Sequence, residues 1–188
     1  MVAVEDVFTE LPMLDTARMW LRRITESDSD GLFEIFSDDE VTRYYAFDTF
    51  THIDQARDLA VRSVAQYQQG EAMRWRLLLA GAAQIIGTCG YTCWNREHHF
   101  AILGYDLARP YWGRGLMSEA AGAVVRLGFE QMALNRIEAT VLVDNAASIR
   151  VLSRAGFQRE GRLAERIWHR DVFHDVYLCG LTRSRWQA

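Results

Sequence analysis

The junction at residues 109–120 constrains this chain more than any other stretch. There Arg109-Pro110-Tyr111-Trp112-Gly113-Arg114-Gly115-Leu116-Met117-Ser118-Glu119-Ala120 joins a β-rich run at 100–107 to a helical pattern. Leu116, Ala120, Ala123, Val124 and Leu127 recur in that pattern at the spacing of one buried stripe. Gly113 and Gly115 remove Cβ atoms where a ligand backbone or phosphate must come close, and the helix start presents N–H groups that have no intrahelical partner. Such an end carries about half a positive charge, which suits a diphosphate. Taken alone, the same residues also fit a glycine turn that merely launches a helix.

The rest of the chain supplies the sheet around this junction. Residues 18–24 read as a first strand, and Ser27 or Asp28 can cap a helix carrying Leu32, Phe33, Ile35 and Phe36. A second helix spans about 54–70, with Gly70 as its stop. Two β-rich runs, 75–80 and 85–94, flank Gly81-Ala82-Ala83 as a hairpin, and the polar stretch 95–99 separates them from 100–107. After this meander come helix 115–132, strand 137–143, helix 146–155, and two β-like runs at 162–169 and 172–181. A meander followed by a β-α-β-α-β half predicts an α/β fold with a mixed sheet of about seven strands and helices on both faces. No repeat or Pro/Ser-rich linker interrupts it, so residues 1–188 are expected to form one domain, with 1–13 as an extended N-terminal segment.

Composition narrows the function. The chain has 188 residues, 49% of them hydrophobic, which is ample for a core. Twenty-one basic against 25 acidic residues give a net charge of −4, so there is no basic footprint for a nucleic-acid backbone. A cationic partner suits that surface slightly better. Every basic residue is arginine, most economically an effect of genome composition; exclusion of lysine by a lysine-reactive compound is the functional alternative. Glu5 and Asp6 stand where a secretory signal would be basic, and the apolar stretch 77–87 is far short of the ~20 residues of a membrane span. A cytoplasmic protein without membrane contact is expected. Cys89 and Cys93, four apart on a strand, lie roughly 13 Å from each other, too far for a bridge, and with Cys179 they read as reduced thiols. His98 and His99 point to opposite faces of a strand, and His169 and His174 are distant from them, so no metal site is expected.

Two nucleotide folds compete for the glycine turn. A P-loop fails because no Gly-Lys-Ser/Thr follows it. A dinucleotide fingerprint is nearly spelled by Gly113, Gly115 and Ser118, with Glu138 and Asp144 downstream. Four residues nevertheless separate strand from first glycine, and there is no second mononucleotide half. A second motif, Asp144-Asn145-Ala146-Ala147-Ser148-Ile149-Arg150-Val151-Leu152-Ser153-Arg154-Ala155-Gly156-Phe157, reads as a helix with Asn145 as N-cap, Ile149, Leu152 and Ala155 as buried stripe, and Gly156-Phe157 as a glycine stop. Ser148 is its one member with spare chemistry, a hydroxyl close to a positive helix end.

Together the two motifs resemble the GNAT superfamily of N-acetyltransferases, and the wider pattern looks like its ribosomal-protein N-terminal acetyltransferase (Rim) branch. The likeness runs from Leu14-Asp15-Thr16-Ala17-Arg18-Met19-Trp20-Leu21-Arg22 to Val172-Phe173-His174-Asp175-Val176-Tyr177. The family pattern Gln/Arg-x-x-Gly-x-Gly/Ala falls on Trp112, Gly115 and Met117, departing at the first and last, while the backbone donors from Gly113 to Ser118 remain.

The resemblance implies acetyl transfer from acetyl-CoA to an amine in a ternary complex, without metal. It places the pyrophosphate on Gly113, Arg114, Gly115, Leu116, Met117 and Ser118, and the pantetheine arm beside Asn145 between splayed strands. A backbone donor near Leu107 polarises the thioester, and Ser148 serves the departing thiolate. The family's usual fourth-strand glutamate, two residues before Gly104, is Ile102 here, which leaves Glu165 as the nearest candidate base. Deprotonating a lysine-type amine at pH 7 costs about 4.6 kcal/mol, an α-amine about 1. Without an obvious strong base, an α-amine of a protein or peptide, or another weakly basic small-molecule amine, is the expected acceptor. Tyr44, Tyr45, Phe47, Asp48, Trp94 and Trp168 are expected to set acceptor choice, with Asp39, Glu40 and Asp48 drawing a cation. The rivals are a non-catalytic acyl-CoA-binding module and a transferase that detoxifies an antibiotic amine; a homodimer is common among relatives.

Overall fold

The structure is a computed structural model that describes residues 11–45 and 47–187. Eight strands form one sheet: β1 Leu14–Asp15, β2 Met19–Arg23, β3 Met73–Leu79, β4 Ile85–Asn95, β5 Phe100–Leu107, β6 Arg136–Leu142, β7 Gln158–His169 and β8 Val172–Thr182. Their order is β1-β2-β3-β4-β5-β6-β8-β7. The helices are α1 Ser29–Phe36, α2 Asp39–Thr42, α3 Ile53–Gln68, α4 Leu116–Glu130, α5 Ala146–Arg154 and α6 Arg183–Trp186.

The expected mixed sheet with helices on both faces is present, with one strand more than the seven read from the sequence. The addition, β1, pairs only Leu14↔Leu21 and Asp15↔Trp20, too short for a period-2 signal. Most of the expected extended segment, residues 1–10, lies outside the described residues. The single-turn helices α2 and α6 also escape the sequence reading, because one turn shows no periodicity.

Strand alternation sorts the core into two. Met73, Trp75 and Leu77 of β3 point to the face covered by α4 and α5, where Ala120, Val124 and Leu152 are buried against them. Leu78 and Ile85 turn to the other face and meet Leu32, Ile35 and Phe36 of α1 and Ala56 and Ala60 of α3. The α4 helix seats close to the sheet because residue 128 is glycine: a Cβ there would lie 2.2 Å from the Tyr91 hydroxyl, which donates to Val124 O at 2.8 Å.

One pairing sets up the site. All neighbouring strands are antiparallel except β5 and β6, which run parallel and pair only at Phe100↔Arg136, Ala101↔Ile137 and Ile102↔Glu138. Beyond Ile102, β5 follows β4 to Leu107 while β6 follows β8 to Leu142. The sheet opens into a fork.

Candidate active site

A cleft of about 690 Å³ runs through this fork. Ala108 N–H donates to Ile86 O, so by the alternation of an antiparallel ladder the backbone groups of Leu107 face away from β4, into the fork. Two side chains reach this free edge of β5. The Trp112 indole donates to Leu107 O at 2.6 Å, and the Tyr45 hydroxyl donates to Tyr105 O at 2.9 Å.

At one end lies the glycine turn. Gly113 and Gly115 adopt φ of +73° and +74°, left-handed values that glycine reaches without steric cost, and Gly115 is the N-cap of α4 with no side chain bonded across the helix start. The first N–H groups of α4 are therefore left for an anion. The turn is fixed from the residue just before β2: Arg18 donates through Nη1 to Arg114 O at 3.0 Å and through Nε to Glu119 Oε2 at 2.7 Å, while its backbone N–H meets Oε1 at 2.9 Å. Burial opposes the Glu119 charge, but hydrogen bonds from Thr16 and Arg18 outweigh it and hold the carboxyl below its usual range. Arg150 and Arg154 of α5 add positive charge to the cleft wall.

At the middle of the cleft stands Ser148. Asn145 caps α5 by accepting Ser148 N–H at 3.0 Å, which places Ser148 at N3 with its hydroxyl free of capping duty. That hydroxyl lies 2.8 Å from the Tyr105 hydroxyl, which also reaches Ser148 O at 3.2 Å. Burial pushes the Tyr105 phenol up, so it keeps its proton.

The opposite end holds a buried polar network. Arg74 donates from Nη2 to Asp106 Oδ2 and from Nε to Thr88 Oγ1, both at 2.5 Å. Thr88 donates its N–H to Asp106 Oδ1 at 2.9 Å and its hydroxyl to Oδ2 at 2.6 Å, and Tyr45 adds a 3.3 Å contact to Oδ2. The Asp106 side chain is fully buried and both oxygens are taken, so it anchors Arg74 and is no base. Beside it, burial pushes the Cys89 thiol up to about 12, which leaves it an inert core residue. All three cysteines are free thiols. Among the described residues no group of three His, Cys, Asp or Glu is placed to hold a metal ion, and no helix is long and apolar enough to cross a membrane.

Of the residues singled out from the sequence, Leu107, Gly113, Gly115, Leu116, Met117, Ser118, Asn145 and Ser148 line this one cleft. Arg114 does not; its guanidinium lies over the Tyr111 ring at 5.5 Å and its carbonyl holds Arg18. Glu165 does not either. It sits in the irregular stretch of β7 where pairing with β8 shifts, at φ +50°, exposed, with its N–H on Asp175 Oδ1 at 2.8 Å, while Ile167 two residues on reaches the cleft.

Among the expected acceptor residues, Tyr44, Tyr45 and Glu40 line the cleft. Phe47 packs into the α1 core against Phe36 and Phe50, Trp94 is buried under Arg96, and exposed Trp168 meets the Phe173 ring at a tilt of 59°. Asp39 is tied to Arg170 in the β7–β8 turn. The sequence reading missed Tyr105 and Arg74, whose partners lie 43 and 32 residues away. Only the "Gly-Tyr-Asp" step on β5 hints at either.

A parallel pair forks beside a helix start that no side chain caps, an arrangement that suits an extended ligand bearing an anionic group. Residues 18–158 match the acetyltransferase (GNAT) domain family. The chain is 36% identical over 174 residues to the uncharacterized N-acetyltransferase YoaA of Bacillus subtilis (strain 168), covering 93% of this chain and 98% of that protein. It is 30% identical over 121 residues to the [ribosomal protein uS5]-alanine N-acetyltransferase of Escherichia coli (strain K12), 64% of this chain and 62% of that enzyme. An acetyltransferase (GNAT family) structure from Bacillus anthracis matches with a TM-score of 0.83 at 25% identity, over 92% and 99% of the two chains. The chain belongs to the GNAT family and is an acetyl-CoA-dependent N-acetyltransferase.

Proposed function

We propose that the acceptor is a weakly basic primary amine, foremost the α-amine of a protein or peptide and secondly a small-molecule amine, attacking directly in a ternary complex. The observation that carries this is the carboxylate inventory of the cleft. Among the described residues only Asp106 and Glu40 line it with carboxylates; Asp106 is saturated by Arg74, Thr88 and Tyr45, and Glu40 stands half-exposed beside Arg43. An α-amine loses its proton to water near neutral pH for about 1 kcal/mol, whereas a lysine-type amine would need about 4.6 kcal/mol that no group at the fork supplies. Glu165 is assigned no part in this step. A protein alanine in the name of the uS5-alanine relative supports the same acceptor class.

In this reading the free amine attacks the thioester carbonyl carbon, a C–N bond forms, and the C–S bond breaks. The Leu107 N–H, facing the fork, supports the developing oxyanion. Ser148 gives its hydroxyl proton to the leaving sulfur; Tyr105, whose phenol stays protonated, hydrogen-bonds to Ser148 Oγ and steadies the charge that forms there until solvent returns a proton to the serine. The attacking nitrogen releases its own proton to solvent. Positioning in the fork is worth about 7–11 kcal/mol of the barrier, so no single residue need carry the rate.

Calorimetric titration with acetyl-CoA, with NADH as control, tests the first half, and release of free CoA on adding an N-terminal peptide tests the second. Binding of acetyl-CoA alone together with amine-dependent CoA release is expected. Binding without release under any amine would make the chain an acyl-CoA-binding module instead.

A further inference from the structure

The polar network at the acceptor end leaves one donor unspent. Arg74 is held by its Nε on Thr88 and its Nη2 on Asp106, with the Tyr45 hydroxyl hydrogen-bonded beside them, and the bonds to Thr88 and Asp106 do not use Nη1. Nη1 lies 3.7 Å from the point where a Cβ on Gly104 would stand, two residues past the last β5–β6 pair at Ile102. The side chain retains 21% exposure and lines the cleft. A guanidinium held by a saturated carboxylate thus keeps a charged nitrogen beside Gly104, a strand position just past the start of the fork that carries no side chain.

We propose that Arg74 Nη1 binds the carbonyl oxygen of the acceptor's first residue and so makes the enzyme specific for amines that carry a carbonyl one carbon away. This rests on the α-amine reading above and names how the site enforces it. In an N-terminal residue the amine and the carbonyl oxygen flank a single carbon, so the amine sits at the fork while the oxygen meets Nη1. A lysine side chain has methylenes in that place and leaves the donor unmatched, which is costly in a desolvated cleft. The ligand is a neutral carbonyl and not a carboxylate, because Asp106 already balances the Arg74 charge and Glu40 on the same wall repels an anion.

The test compares kcat/KM for glycinamide, free glycine and propargylamine, which has similar basicity but no carbonyl, with saturating acetyl-CoA. In the native enzyme glycinamide is expected to exceed propargylamine by about tenfold or more. Arg74→Lys keeps a cation for Asp106 but lacks the fork, and the glycinamide-to-propargylamine ratio is expected to fall to within about threefold. Gly104→Ala combined with Thr92→Ser, which removes the Thr92 Cγ2 that the new methyl would otherwise meet at 2.8 Å, sets a methyl 3.7 Å from Nη1 without touching the ion pair and is expected to lower the same ratio, so the inference stays testable if Arg74→Lys does not fold. Equal rates for the two amines in the native enzyme, or a ratio unmoved by either variant, would overturn it. Preference for glycine over glycinamide would overturn the neutral-carbonyl ligand in favour of a carboxylate. Turnover of none of the three would overturn the α-amine reading itself, and this inference with it.

Discussion

The Tyr105 hydroxyl lies 2.8 Å from the Ser148 hydroxyl, tying the free edge of β5 to the first turn of α5 inside the cleft. In the proposed mechanism, removing the serine deletes the proton donor to the leaving sulfur, while removing the phenol deletes only its support. Ser148→Ala is expected to lower kcat about 100-fold with little change in KM for acetyl-CoA. Tyr105→Phe is expected to lower kcat less, about tenfold, again with KM retained. Steady-state kinetics at saturating amine separates the two effects, and an unchanged kcat in Ser148→Ala would reduce Ser148 to part of the helix cap.

Gly115 holds φ +74° at the start of α4, and its Cβ would meet only Arg18 Nη2 at an ordinary 3.7 Å. The cost of a side chain there is conformational, about 1–2 kcal/mol for a left-handed non-glycine residue. Gly115→Ala is expected to turn the N–H groups of residues 115–118 out of register, raising Kd for acetyl-CoA about tenfold while lowering Tm by a few degrees. Calorimetry and a thermal melt read the two quantities.

The Arg74–Asp106 pair is buried on the carboxylate side and wet on the guanidinium side. Breaking a buried pair from one side costs about 3–5 kcal/mol, and cleft water around Arg74 puts this one at the lower limit. Asp106→Ala is accordingly expected to lower stability by about 3 kcal/mol in a urea melt.

His169 anchors the β7–β8 turn against the α2–α3 segment, with Nε2 buried and unpartnered and the His174 ring 6.3 Å away. Burial first, then the nearby charges of Arg170 and His174, hold its pKa below the usual 6.5, against opposing contributions from Asp48 and the Arg43 backbone. The unfolded chain then binds this proton first. The stabilisation is complete above about pH 6.5 and is lost as pH falls through the lowered folded value. Glu119 and Glu160, held below 4.5, and Asp39 and Asp175, held below 3.8, each with an arginine partner, lose theirs in a second, lower window. Tm against pH should therefore fall in two stages, and His169→Gln should remove the first stage alone.

What the sequence announced and what it concealed divide along the range of the interactions. The glycine turn, the Asn145 cap and the Gly156-Phe157 stop are local. Each is where the spacing put it, with Phe157 N–H on Leu152 O at 3.0 Å closing α5. The mixed sheet whose two halves meet at β5 and β6 was readable from periodicity, whereas the fork between them came only from the family resemblance. Tyr105, Arg74 and Asp106 acquire their roles only through partners on other strands and helices, so no window of the sequence contains them. Glu165 shows the converse: the family resemblance makes it the nearest candidate base, yet the shifted β7–β8 register carries Ile167 and not Glu165 to the cleft. Single-turn α2, which brings Glu40 to the acceptor end, is below the length at which pattern speaks.

One measurement bears most directly on the central claim. A peptide with one free α-amine and one internal lysine is incubated at pH 7 with the enzyme and acetyl-CoA, and the modified position is read by mass spectrometry. Acetylation at the N-terminal nitrogen, abolished without enzyme and reduced about 100-fold by Ser148→Ala, is the expected result. Acetylation of the lysine in preference to the terminus would contradict it.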